Sequence, residues 1–357
     1  MPLRPSVSLN DCYTYLGVGD GFDHVRHRVQ LAPKLQQIKR EAVALIQSGL
    51  APWQVVKALK TYVYPKVEYA LRHLRPLQSQ LQGFDRAVSR GLRHLLRLPQ
   101  SSTSEFLYTP TSGGGLGLQT LVEMHQALQV AHAWQMLHSK DRDVAAIAQA
   151  QVCQVARKRY YLQEENWRGR DTELARLFLN SELAASPHAT VLRRNGDIGS
   201  LWVDVQRILC TNHLSLAENV DATAGLDPFG LRVPHHGQWL DHKTVLRHVK
   251  LHMKLRHQSR WKGLVDQGKT VRVHGGVGSK FVTAGVGLSD AEHRFGIQAR
   301  LNQVDTNSVL KRRRLRDNHH CRAQGCSSAE TLVHVLCHCA TNMDAIRQRH
   351  DDALETI

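Results

Sequence analysis

Apolar residues recur at the spacing of an α-helix through the first third of the chain, and this pattern constrains the fold most strongly. In the first predicted helix, over 31–48, one stripe is apolar: Leu31, Leu35, Ile38, Ala42, Leu45 and Ile46. A second helix is predicted from Pro52, a favourable first-turn residue, to about residue 74, with a kink at Pro65. A third is predicted over 77–96. Three such helices with short connections predict a compact bundle.

Most of the remaining chain is also predicted to be helical. The opening segment 13–22 alternates aromatic and small residues around a Gly-Asp-Gly turn, which predicts a short β-hairpin. The Gly- and Val-rich segment 271–287 predicts strand and loop. A helix is predicted after it, with its arginines outward and three core residues: Phe295, Ile297 and Leu301.

The charge of the chain is strongly positive and unevenly distributed. The 357 residues include 47 Lys and Arg against 31 Asp and Glu, a formal net charge of +16. Residues 247–316 hold 16 basic and 4 acidic residues, whereas residues 121–246 hold 13 and 14. A hydrophobic fraction of 42% excludes a disordered basic tail. A folded protein of this charge typically binds a polyanion, and the contact is predicted to concentrate in 247–316.

Cysteine usage and hydropathy indicate a soluble, intracellular protein. No apolar run approaches the length of a membrane span, and the first residues lack the apolar core of a signal peptide. Four of the seven cysteines fall within the last 37 residues, unlike the framework of a disulfide-rich secreted protein. This clustering predicts a local metal site.

The spacing Cys321-x4-Cys326-x7-His334-x4-Cys339 predicts structural zinc. Zinc takes four nitrogen or sulfur ligands in a tetrahedron, and a tight turn followed by a helix can supply two each. The fourth ligand is ambiguous from sequence, because Cys337 and His338 lie beside Cys339. Four protein ligands leave no open position, so binding would fold the tail and catalyse nothing.

The sequence offers no convincing nucleophile with its base, so no catalytic residue is predicted. Asp351 and Asp352 are interpreted as surface charge on a polar helix. In the segment 275–281, Ser279 precedes Lys280, which is the reverse of the order in a phosphate-binding loop.

Several segments, taken in order, resemble one family. These segments are Tyr15-Leu16-Gly17, the helical stretch 31–98, the glycine-rich PTSGGGLGL, and Arg300–Arg316 followed by CRAQGCSSAETLVHVLCHC. They resemble the C-terminal part of a site-specific non-LTR retrotransposon reverse transcriptase, of the type that inserts into ribosomal DNA and carries a restriction-like endonuclease. The resemblance is vague between about 140 and 245.

The resemblance implies a mainly α fold: a primer-grip-like β-hairpin, a three-helix thumb bundle, a helical linker region and a small zinc-knuckle tail. The implied domains are 1–23 (end of palm and primer grip), 24–100 (thumb), 101–120 (Gly-rich connection), 121–246 (helical linker region), 247–316 (basic linker) and 317–357 (Cys-Cys-His-Cys knuckle and tail). Tyr15, Leu16 and Gly17 would form the primer grip.

The implied function is nucleic-acid binding, with RNA or DNA as the partner. The residues expected to contact phosphates are Lys34, Lys39, Arg40, Arg247, Lys250, Lys254, Arg256, Lys311, Arg312, Arg313, Arg314 and Arg316. Trp261 is expected either to stack on an unpaired base or to lie in the core.

Catalysis is not expected of the chain alone. The family polymerises with Mg²⁺ held by palm aspartates, including a Tyr/Phe-x-Asp-Asp motif that is absent from this sequence. Its endonuclease core follows the knuckle and is also missing, so the chain is expected to be a fragment that could join the rest of a polymerase in trans. There are two alternatives. The chain could have the function of its parent family, a reverse transcriptase/endonuclease, or it could be a domesticated zinc module that binds a protein partner. The family implies a nuclear location and no membrane.

Overall fold

The computed structural model describes residues 13–15, 18–20, 24–185, 200–218, 229–232, 244–273, 277–285 and 287–355, and these are mainly α-helical, as predicted. The described strands are short. β1 (Tyr13–Tyr15) pairs antiparallel with β2 (Val18–Asp20), and β3 (Ser215–Glu218) pairs antiparallel with β4 (Phe229–Arg232). None of the described helices combines the length and apolar character needed to span a bilayer.

The described α-helices carry their labels in chain order. Those of the first half are α1 (His24–Ile46), α2 (Pro52–Ala58), α3 (Pro65–His73), α4 (Gln78–Leu95), α5 (Glu105–Tyr108), α6 (Leu121–Leu137) and α7 (Arg142–Tyr160). Those of the second half are α8 (Asp171–Leu179), α9 (Leu201–Thr211), α10 (Val245–Gly263), α11 (Lys269–Val273), α12 (Phe281–Ala284), α13 (Asp290–Arg300), α14 (Asn307–Arg312) and α15 (Met343–Glu355).

The predicted interruption at Pro65 is confirmed. Pro65 begins α3, and a π-helical turn over Leu59–Val63 separates it from α2. Proline has no N–H and its ring clashes with the preceding turn, so it favours a break in the helix at this position. The N–H of Tyr64 donates to the carbonyl of Leu59 at 3.1 Å.

The chain divides into two compact units. The first comprises the described residues of 13–43, 59–87 and 119–256, and the second those of 44–58, 88–118 and 257–355. In the first unit α6 packs against α3, α7 and α9, and α8 packs against α7 and α9. The largest buried side chains of that core are Trp134, Tyr160, Trp167, Phe178 and Trp202.

In the second unit, Trp261 lies at the centre of a buried group. Its side chain is fully buried, its ring centroid lies 6.3 Å from that of Phe106, and its Nε1 donates to the carbonyl of Gln267 at 2.8 Å. Of the two expectations for Trp261, the core position is therefore the one observed. A base cannot stack on a ring that is covered on all sides.

Two expectations for the segment after α10 were wrong. Among the described residues of 271–287, the short helices α11 and α12 stand in place of the predicted strand, and Val271 and Val282 are buried on them. Valine favours strands only where a pleated partner surface exists, and in this segment helical packing buries it instead. On α13, Phe295 is exposed and Arg300 is buried, because Arg300 shares a helix face with Ile297 and its guanidinium lies 5.5 Å from the Trp261 ring centroid.

Gly285 ends α12 and has no room for a side chain. Its φ is +57°, and a Cβ there would lie 2.1 Å from the Trp53 ring. Gly287, in the same loop, has a φ of +74° but nothing within 4 Å of such a Cβ. We expect Gly285→Ala to lower the free energy of unfolding by about 3 kcal/mol, from backbone strain plus steric overlap.

Gly287→Ala serves as the matched control, since it adds only the strain of a left-handed backbone, about 1 kcal/mol. Urea unfolding of both variants measures the difference. Equal losses would show that the Trp53 ring moves aside and that the overlap costs nothing.

Candidate metal centre and nucleic-acid interface

The four predicted zinc ligands converge on one point near the C-terminus. The Sγ atoms of Cys321 and Cys339 lie 4.0 Å apart, and Cys326 Sγ lies 3.3 Å from Nε2 of His334. All four donor atoms lie within 4.8 Å of one another, so the cluster could hold a metal ion. The alternates Cys337 and His338 are exposed and lie outside this cluster.

The donor geometry fits zinc. With Zn–S bonds near 2.3 Å in a tetrahedron, neighbouring sulfur atoms lie about 3.8 Å apart. The 4.0 Å between Cys321 and Cys339 is close to that value. Three thiolates and one imidazole complete four-coordination and leave no position for a substrate, which is the arrangement of a structural site.

The local backbone positions these ligands. Gly325, with a φ of +82°, permits the tight turn that carries Cys321 and Cys326. The N–H of Cys321 donates to the carbonyl of Ser328 at 2.8 Å and closes the loop. Thr331 accepts the N–H of His334 at 3.1 Å on its hydroxyl, and so starts the π-helical turn His334–His338 that leads to Cys339.

Asn307 joins α14 to the metal-binding segment, and sequence reasoning missed it. Its N–H donates to Glu330 Oε2 at 3.0 Å, its Nδ2 donates to the carbonyl of His320 at 2.7 Å, and its Oδ1 accepts from Arg316 at 2.5 Å. Glu330 is buried and also lies 3.3 Å from Arg322 Nε. The only signal in the sequence was an Asn next to Thr306, which occupies the N-cap position of α14. That position does not by itself predict a side chain with several hydrogen bonds.

In the predicted basic segment 311–316, three of the arginines have side-chain partners, although Arg312 and Arg316 are also exposed. Arg312 pairs with Asp266 at 2.8 Å, Arg313 pairs with Asp305 at 2.7 Å, and Arg316 donates to Asn307. Lys311 and Arg314 are exposed, and Lys311 Nζ lies 3.3 Å from Nδ1 of His319. Part of the predicted phosphate-contacting charge therefore holds the segment in place.

On α10 the structure brings the predicted basic residues to one groove. Arg247, Lys250 and Lys254 line a cavity of about 520 Å³ together with Leu246 and Leu251. Lys250 Nζ lies 2.9 Å from Glu68, and burial lowers the pKa of Lys254, with the charge of Lys250 as a second cause. Arg256 is engaged elsewhere, since it donates to Asn212 Oδ1 at 2.5 Å.

Lys60, on the π-helical turn, was not singled out by the sequence. Burial, together with the nearby charge of Lys254, lowers its pKa to about 8. Two lysines of like charge in a half-buried position are stabilised by an anion. No linear motif contains both residues, because the fold alone brings 60 and 254 together.

The other predicted contacts lie in α1 and the first hairpin. Arg40 is exposed, and Lys34 and Lys39 are half-buried. Lys39 lines a cavity of about 460 Å³ with residues of α1 and α4. Tyr15 lies at the end of β1, whereas Leu16 and Gly17 lie outside the described residues.

Comparison with known proteins gives distant relatives. No protein-family profile matches the chain. It is 24% identical over 356 residues to the retrovirus-related Pol polyprotein from the type-2 retrotransposable element R2DM of Drosophila melanogaster, covering 99% of this chain and 26% of the polyprotein. It is 29% identical over 118 residues to an uncharacterized protein of Caenorhabditis elegans, covering 32% of this chain and 33% of that protein.

A third match is the Pol polyprotein from the type-1 retrotransposable element R2 of Popillia japonica, 23% identical over 145 residues, with 41% of this chain and 29% of that protein covered. The matches thus span between a quarter and a third of each relative's length. They relate this chain, at 23–24% identity, to the Pol polyproteins of R2 retrotransposons.

Proposed function

We propose that the chain is the nucleic-acid-binding part of a retrotransposon-type RNA-directed DNA polymerase. Its thumb-like helices would follow a template–primer duplex, and its basic linker and zinc knuckle would hold element RNA or target DNA. It has no catalytic residues of its own in this proposal. Cys321, Cys326, His334 and Cys339 would hold the zinc, which supplies structure and no chemistry.

The observation that carries the proposal is a set of exposed cations held rigidly on the candidate metal centre. Asn307 ties α14 to the loop that contains Cys321, so the exposed Lys311 and Arg314 project from a fixed base. Fixed cations bind phosphates at a smaller entropic cost than flexible ones. Residues 247–316 hold 16 basic and 4 acidic residues. This excess of positive charge supplies the part of the affinity for phosphates that does not depend on the nucleic-acid sequence.

A second cationic surface comprises Lys254, which lines the groove of α10, and the neighbouring Lys60. Lys60 and Lys254 are half-buried, and burial lowers the pKa of both. A bound phosphate would offset their repulsion and favour the charged form of each lysine. This pair of lysines supports the same function and adds Lys60 to the proposed contacts.

The salt dependence of binding tests the proposal. In filter-binding titrations, the logarithm of the association constant should fall linearly with the logarithm of salt concentration. The double variant Lys311→Ala with Arg314→Ala should bind all sequences more weakly and should lower the salt slope by about 2, one per lost phosphate contact.

Lys158→Ala is the control, because Lys158 is equally exposed but lies on α7, outside the basic segment. It should leave the slope unchanged. Binding that does not depend on salt, or a slope that the double variant and the control change equally, would refute the proposed interface.

A further inference from the structure

A cavity of about 340 Å³ lies in the second unit, bordered by the candidate zinc knuckle. Its polar lining includes Asp266, Lys269, Asn302, Thr306, Ser308 and Arg312. Apolar walls come from Ala299, Val309, Leu332 and Val333. The volume falls within the range of roughly 300–1,000 Å³ that small-molecule sites occupy, and the mixture of apolar walls with a few polar groups is typical of them.

Two hydroxyl groups on this cavity have no hydrogen-bond partner among the described residues. Thr306 is 5% exposed and precedes α14 at the capping position, yet its Oγ1 accepts no backbone N–H. Glu330 accepts the N–H groups of the first turn instead: its Oε2 accepts that of Asn307 at 3.0 Å, and its carbonyl accepts that of Ser308 at 3.3 Å. The Oγ of Ser308 is likewise buried and unpaired. Buried polar atoms are usually hydrogen-bonded, so these two hydroxyls are available to pair with a polar group that enters the cavity.

The charged side chains that line the cavity form contacts with one another around Asp266. Asp266 accepts Asn302 Nδ2 at 2.6 Å and pairs with Arg312 at 2.8 Å, and Lys269 Nζ lies 3.9 Å from the same carboxylate. The carboxylate is thus neutralised, and one positive charge remains in excess. Two exposed cations lie close to Arg312 in the chain: Lys311 is on α14, and Arg314 follows the end of that helix.

These features favour a ligand that is flat and apolar on its faces, polar at its edge, and attached to a negative charge. We propose that the cavity binds one unpaired nucleotide of a single strand. The base would lie against the two hydroxyls, and its phosphate would face Lys269 and Arg312. Unpaired bases are recognised by hydrogen bonds at the base edge, and the apolar walls would contact the face of the base. The inference rests on the proposed function, since it places a specific subsite within the nucleic-acid interface.

The test compares strands that carry bases with strands that lack them. Binding of the full, zinc-loaded chain would be measured by fluorescence anisotropy at fixed salt, with oligouridine, oligothymidine and abasic strands of about ten nucleotides. All have equal phosphate charge, so a difference in affinity between a base-bearing strand and the abasic strand of the same sugar is due to the bases. The wild type should bind at least one base-bearing strand about tenfold more tightly than the abasic strand.

Two variants change the cavity in different ways. Thr306→Val combined with Ser308→Ala removes both hydroxyls, and Ala299→Leu fills the space. Each should reduce the preference for bases to nearly none and leave the salt slope unchanged. Thr283→Val is the control, because Thr283 lies on α12 and does not line the cavity. Since the two removed hydroxyls have no protein partner, the double variant should unfold at the same urea concentration as the wild type.

The outcomes separate this inference from the proposed function. If binding depends on salt and the cavity variants abolish the preference for bases, the proposed function and the nucleotide cavity are both supported. Whether oligouridine or oligothymidine shows the preference then identifies the sugar. If binding depends on salt but every variant keeps the preference for bases, or the wild type shows no such preference, the nucleotide cavity is refuted and the proposed function stands. Absence of binding to every strand overturns both.

Discussion

Removal of zinc is expected to unfold residues 317–355 while the remaining helices stay folded. Within 317–355 the buried side chains are those of Glu330 and Cys339, and α15 buries none. A segment with so little apolar burial cannot offset the entropy of ordering its backbone. Structural zinc contributes on the order of 10 kcal/mol to folding such a segment.

Three variants sharpen this test. Cys339→Ser removes a donor from the cluster, whereas Cys337→Ser and His338→Ala change residues that lie outside it. We expect one zinc per chain in the wild type and both controls, and loss of metal and of order in 317–355 for Cys339→Ser. Cobalt substitution should report three thiolate ligands. Loss of metal by Cys337→Ser, or a tail that stays protease-resistant in chelator, would contradict the assignment.

Ionisation of Asp85 is expected to make the first unit less stable as the pH rises from about 4 to 7. Asp85 lies on α4, and its carboxylate accepts the N–H groups of Leu121 and Val122 at 2.7 and 3.4 Å at the start of α6. Burial raises the pKa of this carboxyl to about 7, because its loss of hydration outweighs these two hydrogen bonds, and nearby Glu123 raises it further.

The direction of the effect follows from proton uptake. The unfolded chain releases this proton near pH 4, whereas the folded chain holds it up to about pH 7. Folding therefore binds a proton between these values, and the free energy of unfolding falls across them. At about 1.4 kcal/mol per pKa unit, the loss is at most about 4 kcal/mol.

Asp85→Asn tests this directly. It keeps an oxygen acceptor for the N–H of Leu121 but cannot ionise, so its advantage over the wild type should grow from pH 4 to 7 in urea unfolding. Asp141→Asn is the matched control, because exposed Asp141 accepts two N–H groups at the start of α7 in the same way. A difference between Asp85→Asn and wild type that is constant with pH would show that the carboxyl is not held protonated.

Local patterns predicted much of the helical framework. The stripe Leu31, Leu35, Ile38 and Ala42 is buried on α1, and Pro65 interrupts the second helix as expected. Such features depend on residue spacing and backbone chemistry that act within a few turns. The pattern failed in 271–287, where valines pack on short helices, and at Arg300, whose burial depends on the distant ring of Trp261.

By itself, the sequence determined the helical class, the concentration of positive charge before the cysteines, and a set of possible metal ligands. These follow from composition and from spacings of a few residues. Only the tertiary structure placed Cys339 in the cluster and Cys337 outside it, because the choice depends on the direction of each side chain. It also decided that Arg312 pairs with Asp266 and Arg313 with Asp305, and it brought Thr306 to the same cavity as Lys269 and Val333, since these contacts join residues from separate parts of the chain.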